Sequence, residues 1–163
     1  MNLTYLPGPV MLVGLTVAMM LVVPVERIRR LLPYGIIFGA GLGLIIIFLF
    51  QNLLGYWSFH RIDLLNAGRI PVLLALSWLP AEILFAHFLK ELRSPELKLL
   101  LWLLMGAAVV GMHYLLIINR LLSFTNWTLA GTFLFTLFIH AGLMVVLHLF
   151  GYLNLQDILK TLK

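Results

Sequence analysis

The sequence predicts an all-α fold: a polytopic membrane helix bundle of about five transmembrane helices, amino terminus outside and carboxyl terminus inside. Three observations carry this prediction. Of 163 residues, 63% are hydrophobic and 10% are charged, whereas ordinary soluble domains are roughly 45–50% apolar and about 25% charged. A chain of this length has too little interior for so much apolar surface, so the excess must face a second apolar medium, and lipid fills that need. The apolar residues also fall in runs long enough to cross roughly 30 Å of hydrocarbon, with the charges in short clusters at the ends of the runs. The length permits one transmembrane domain, 1–163.

Segment one covers about 9–25, near the lower limit of roughly 17 residues for a span. No basic residue precedes it, and Arg27, Arg29 and Arg30 follow it. That is the reverse of a cleavable signal peptide, so the segment is expected to stay as a helix. Segment two covers about 33–54, with Pro33 in the first turn, where proline is tolerated. The stretch 55–69 (GYWSFHRIDLLNAGR) mixes aromatics with both signs of charge and reads as an interfacial loop containing one short helix along the membrane surface. Segment three covers about 70–89 and carries Pro80, which removes a backbone hydrogen bond and should kink the helix near the bilayer middle. Ser94, Pro95 and Glu96 then supply N-cap, first-turn proline and first-turn acid, which starts segment four, 95–118. Segment five covers about 127–150, and 153–163 reads as a short amphipathic tail.

Orientation follows from the basic residues on alternate sides of these spans. One side receives Arg27, Arg29, Arg30, Lys90, Arg93, Lys98, Lys160 and Lys163; the other receives Arg61, Arg69 and Arg120. Eight against three puts the carboxyl terminus in the cytoplasm of a bacterial plasma membrane. Trp57 and Trp127 fall at outer ends and Trp102 near an inner one, as an aromatic belt would have it. The net charge of +5 is therefore a topology signal, and the expected partners are membrane lipids, with no nucleic acid. The absence of cysteine excludes disulfides, a thiol nucleophile and Cys-ligated zinc or iron–sulfur sites. No phosphate-binding glycine loop, HExxH, nucleophile elbow or Arg-rich voltage-sensing helix occurs, which argues against an ATPase or a zinc protease.

Gly35, Gly39 and Gly43 recur every four residues and form one smooth stripe on a helix. It is expected to pack against Gly14 and Ala18 of segment one or Ala107 and Gly111 of segment four, or to join a second copy or a partner membrane protein. Glu82 is the one acid expected deep within a span, where ionisable groups are costly and functional by default. Its depth matches that of His140 on segment five at 1.5 Å per residue, which makes Glu82 and His140 the candidate catalytic pair. The plainer alternative is a satisfied polar pair that locks helix packing. Trp78, His87 and His148 are the candidate binding side chains. His87 and His148 could ligate haem or a metal, but no metal site is assigned, no cofactor is specified, and His113 aligns with none of them. His60, Arg61 and Asp63 could line an external mouth or form an interfacial charge cluster. Asn2 and Asn126 begin glycosylation sequons, on the outside in this topology.

The segment 77–89 (SWLPAEILFAHFL) resembles the Pro-x-Glu intramembrane segment of the small integral-membrane lycopene cyclases of bacteria, archaea and fungi. Pro80 and Glu82 match. Ile83 stands where that family usually has a second acid. The resemblance implies a role for Glu82 as proton donor to a polyene. The chain as a whole is similar to uncharacterised small multi-span proteins of Gram-positive bacteria. The expected activity is binding of, or proton-assisted chemistry on, a hydrophobic or amphipathic small molecule. The alternatives are a proton- or cation-coupled transporter or channel subunit, and a structural subunit of a membrane complex.

Overall fold

The computed structural model describes residues 6–154; Asn2 and nearly all of the tail expected over 153–163 lie outside the described residues. Among the described residues, four helices are long and apolar enough to cross a membrane: Val25–Leu53, Val72–Glu91, Pro95–Ile118 and Leu129–Leu149. The described residues are mostly helical and form no closed sheet, which fits an all-α helical bundle. Two compact units are present: one holds the chain up to Leu84 together with Leu116–Trp127, the other Phe85–Leu115 together with the chain from Thr128.

Helix α1 (Pro7–Val22) is apolar but has 16 residues, a rise of roughly 24 Å. It ends before the expected residue 25 because Pro24 follows. A residue preceding proline is driven out of the helical region, and Val23 is extended at φ −96° and ψ 124°. The next helix begins at Val25 rather than Pro33, so the expected start is corrected. The charged run 26–30 opens α2 (Val25–Tyr34) with Glu26 in its first turn, where an acid complements the helix dipole. Pro33 lies inside α2. Its missing N–H interrupts the regular ladder, and the helix continues through wide π-type turns at Gly35–Gly41, the regular α3 (Leu42–Phe48) and a second wide stretch, Leu49–Leu53.

The loop 55–69 contains no helix, contrary to expectation. Instead β1 (Trp57–Phe59) finds its backbone partners far along the chain, pairing antiparallel with β4 (Leu122–Phe124), Trp57 opposite Phe124. A minimal hairpin joins β2 (Asn66–Ala67) to β3 (Ile70–Pro71). Its two-residue turn places Gly68 at φ 63°, a conformation that a side chain resists. Phe50, Tyr56, Trp57 and Trp127 interlock around this ladder, with Phe50 4.4 Å from Trp57 and 4.9 Å from Trp127 between ring centroids. Trp57 is thus buried in an aromatic cluster.

The third long helix is α4 (Val72–Leu76) followed, after a break at Ser77, by α5 (Trp78–Glu91). Pro80 cannot donate to the Leu76 carbonyl, and the break falls in the turn before it. There the Ser77 hydroxyl donates to the Leu74 carbonyl at 2.6 Å. Helix α6 (Pro95–Ile118) has the expected bounds, and the Leu97 N–H donates to Ser94 Oγ at 3.2 Å. Replacing Ser94 with alanine should cost about 1 kcal/mol, read as a lowered melting midpoint in mild detergent. Helix α7 (Leu129–Leu149) is capped by Thr128, whose Oγ1 accepts from the Gly131 N–H at 3.0 Å. In the second unit α6 meets α7 at Gly106, where a Cβ would lie 2.8 Å from the Phe133 ring. Beside it the Trp102 indole N–H donates to the Leu137 carbonyl at 2.9 Å.

Candidate functional site

The glycine stripe builds the site. Gly35 faces Ile83, Gly39 faces Leu79, and Gly43 faces Ala75 and the Trp78 ring. The two rows step by four in opposite directions, so an antiparallel helix pair keeps the match over three turns. Contact is close: a Cβ on Gly39 would lie 2.7 Å from the Leu79 Cα and 2.8 Å from the Trp78 carbonyl oxygen. The stripe therefore packs on α4–α5, not on the expected faces of segments one and four; nothing lies within 4 Å of a Cβ at Gly14 or Gly111. The seam is filled from within the chain.

One residue beyond the Gly35–Ile83 contact, this approach brings Tyr34 to Glu82. Both are buried, Tyr34 at 6% and Glu82 at 3% exposure, and the Tyr34 hydroxyl donates to Glu82 Oε2 at 3.4 Å. Tyr34 is a buried partner of Glu82 that the sequence reading missed; its signal was a lone phenol inside an apolar run, immediately before the first stripe glycine. Ile83 is fully buried with its side chain 2.9 Å from the Cβ position of Gly35. The Ile83 side chain thus fills this space with apolar packing, and no second acid stands beside Glu82 in sequence.

The remaining candidates are distributed. Glu82 belongs to the first unit and His140 to the second. His140 is buried, with Nδ1 2.8 Å from the Thr136 carbonyl oxygen and its ring edge-on to Phe85 at 4.9 Å. A carbonyl only accepts, so Nδ1 carries a proton. His148 Nδ1 lies 2.9 Å from the Leu153 carbonyl oxygen and closes the end of α7. His87 and His113 are buried, with the His87 ring 5.4 Å from Phe88. Trp78 packs on Gly43 and is half-buried. Among the described residues no group of three His, Asp or Glu side chains is placed to hold a metal.

The charged loop is not one cluster. His60 and Arg61 are exposed, and His60 Nε2 lies 3.0 Å from Ser123 Oγ, but Asp63 is fully buried. Asp63 Oδ2 accepts from the Leu74 N–H at 2.8 Å, and Oδ1 from the Leu65 N–H at 3.2 Å. The acid thereby satisfies an otherwise orphaned donor in the first turn of α4. Gly8 of α1 lies against the same carboxylate, where a Cβ would be 2.7 Å from Oδ2, and its N–H donates to the Ile62 carbonyl at 3.0 Å. Asp63 is the knot that ties α1, the loop and α4 together. Gln51 does similar work nearby, accepting from the Phe59 N–H at 3.3 Å and donating to the Arg69 carbonyl.

The class these features define is a mostly helical chain with four helices suited to a membrane and a buried carboxyl on one of them, as in an integral membrane protein. Comparison with protein-family models, with curated proteins and with solved structures finds no match.

Proposed function

We propose that the chain is an integral protein of a bacterial cytoplasmic membrane. It crosses five times, amino terminus outside, and its Glu82–Tyr34 pair binds or acts on a hydrophobic or amphipathic small molecule of lipid or isoprenoid kind. The observation that carries the reading is Glu82, a carboxyl at 3% exposure near the middle of a 20-residue apolar helix. An ionisable group there is expensive unless it is used. Three features support the topology. Eight of eleven basic residues fall on one side. The pairing of β1 with β4 requires both loops to share a side, as five spans allow. Helix α1, though short, lies within what local thinning of the bilayer accommodates.

The chemistry follows from the hydrogen bond. Glu82 gives its proton to an alkene carbon, whose π electrons form the new C–H bond and leave a carbocation on the substrate. The resulting carboxylate is held by the Tyr34 hydroxyl, a bond that strengthens as the charge develops. A second alkene of the same polyene closes on the carbocation. Loss of an adjacent C–H proton to the carboxylate then forms the product alkene and returns Glu82 to its acid form. Catalytic hydrogen bonds are often long before substrate binds, which fits the 3.4 Å separation.

The test is Glu82→Gln, which keeps size and hydrogen bonding but loses the titratable proton. Conversion of an acyclic polyene should fall by roughly 10²–10⁴-fold with melting unchanged, and Tyr34→Phe should lower it less. Native mass and the absorption spectrum of protein purified in mild detergent should show a co-purifying lipid or pigment. Glu82-dependent proton flux in liposomes, without conversion or bound molecule, would place the pair in a transporter instead.

A further inference from the structure

We propose that the loop 60–69 is a membrane-surface anchor, with Leu64 and Leu65 among the upper acyl chains and Arg61 and Arg69 on anionic lipid phosphates. The inference rests on the membrane reading above and goes beyond it. Leu64 is 67% and Leu65 54% exposed, although the backbone around them is pinned. The Leu65 N–H donates to Asp63 Oδ1 at 3.2 Å, Asn66 Nδ2 donates to the Asp63 carbonyl at 3.1 Å, and Gln51 holds the Arg69 carbonyl. The two leucines are thus held outward by a braced loop.

Their height is fixed as well. The Val72 N–H donates to the Leu65 carbonyl at 2.9 Å, and Val72 is the first residue of a helix suited to crossing the bilayer. Leu65 is therefore level with the start of that apolar stretch, where hydrocarbon gives way to headgroups. Charge selects the same partner. Arg61 and Arg69 are exposed, and the one acid in 60–69, Asp63, is buried against backbone N–H groups. Its outward face is cationic and apolar, which matches phosphate above acyl chain.

The chain has no cysteine, so single labels are simple to place. Leu65→Cys and, as a control on α6, Leu104→Cys are labelled with an environment-sensitive fluorophore. Each is then reconstituted into phosphatidylcholine–phosphatidylglycerol vesicles carrying lipids brominated at shallow or deep acyl positions. The label at 65 should be quenched by shallow bromines and shielded from aqueous iodide, and the label at 104 by deep bromines. If 104 is quenched and 65 is open to iodide, the anchor is refuted while the membrane reading stands. Shielding of 65 from both quenchers marks cover by protein and also refutes the anchor. If neither label responds to bromine, the membrane reading falls and takes the anchor with it.

Discussion

Replacing Asp63 with alanine is expected to lower stability by about 2–4 kcal/mol, because the buried Leu74 N–H loses its acceptor, a loss that costs roughly 1–3 kcal/mol, and the part-buried Leu65 N–H loses one at a smaller cost. The donors are the N–H groups of Leu65 and Leu74, and the side chain is fully buried. Asp63→Asn should fall between wild type and alanine. Its oxygen can still serve Leu74, but its amide then turns a donor toward the Leu65 N–H. Gly8→Ala should be damaging for a related reason, since its Cβ would meet the Asp63 carboxylate at 2.7 Å. Thermal melting in mild detergent reads all three. A melting curve for Asp63→Ala that overlays wild type would show that the start of α4 does not depend on this acid.

Gly39→Leu should have the second large effect. The atoms that a Cβ would strike are the Cα and N of Leu79 and the carbonyl oxygen of Trp78, at 2.7–2.9 Å. Backbone cannot swing aside as a side-chain tip can, so the helices must separate. Overpacking of this kind costs about 1–3 kcal/mol or more, and parting the seam would also pull Tyr34 from Glu82. Even Gly39→Ala should be harmful, whereas Gly14→Ala and Gly111→Ala, with nothing within 4 Å, should be silent. Equal melting for Gly39→Leu and Gly14→Ala would remove the stripe from the list of determinants.

What could be read from the sequence was what local chemistry decides. Ser94, Pro95 and Glu96 set the start of α6 within a few residues of each other, and its bounds came out as expected. The glycine stripe was visible from its period, but its partner was not, because several apolar helices offer rows spaced by four. The second helix was misplaced for a clear reason: a cluster of Glu26, Arg27, Arg29 and Arg30 ends an apolar run but not a helix, and the backbone ladder starts with the charges. The strands of three residues could not be seen, since β1 has meaning only beside a segment more than sixty positions later. Glu82 was legible because an acid in an apolar run stands out. Tyr34 and Asp63 were not, since the role of each depends on a residue that only the folded chain brings near.

The ladder between β1 and β4 also has a history in time. Trp57 is synthesised 67 positions before its partner Phe124, an interval on the order of 3–13 s at roughly 5–20 residues per second. For that interval the edge of β1 and the flank of the Trp57 indole have no ladder to join, and the aromatic cluster lacks Trp127. A nascent chain halted before Leu122 would keep this edge open indefinitely, a mark by which chaperones and proteases could tell unfinished copies from finished ones.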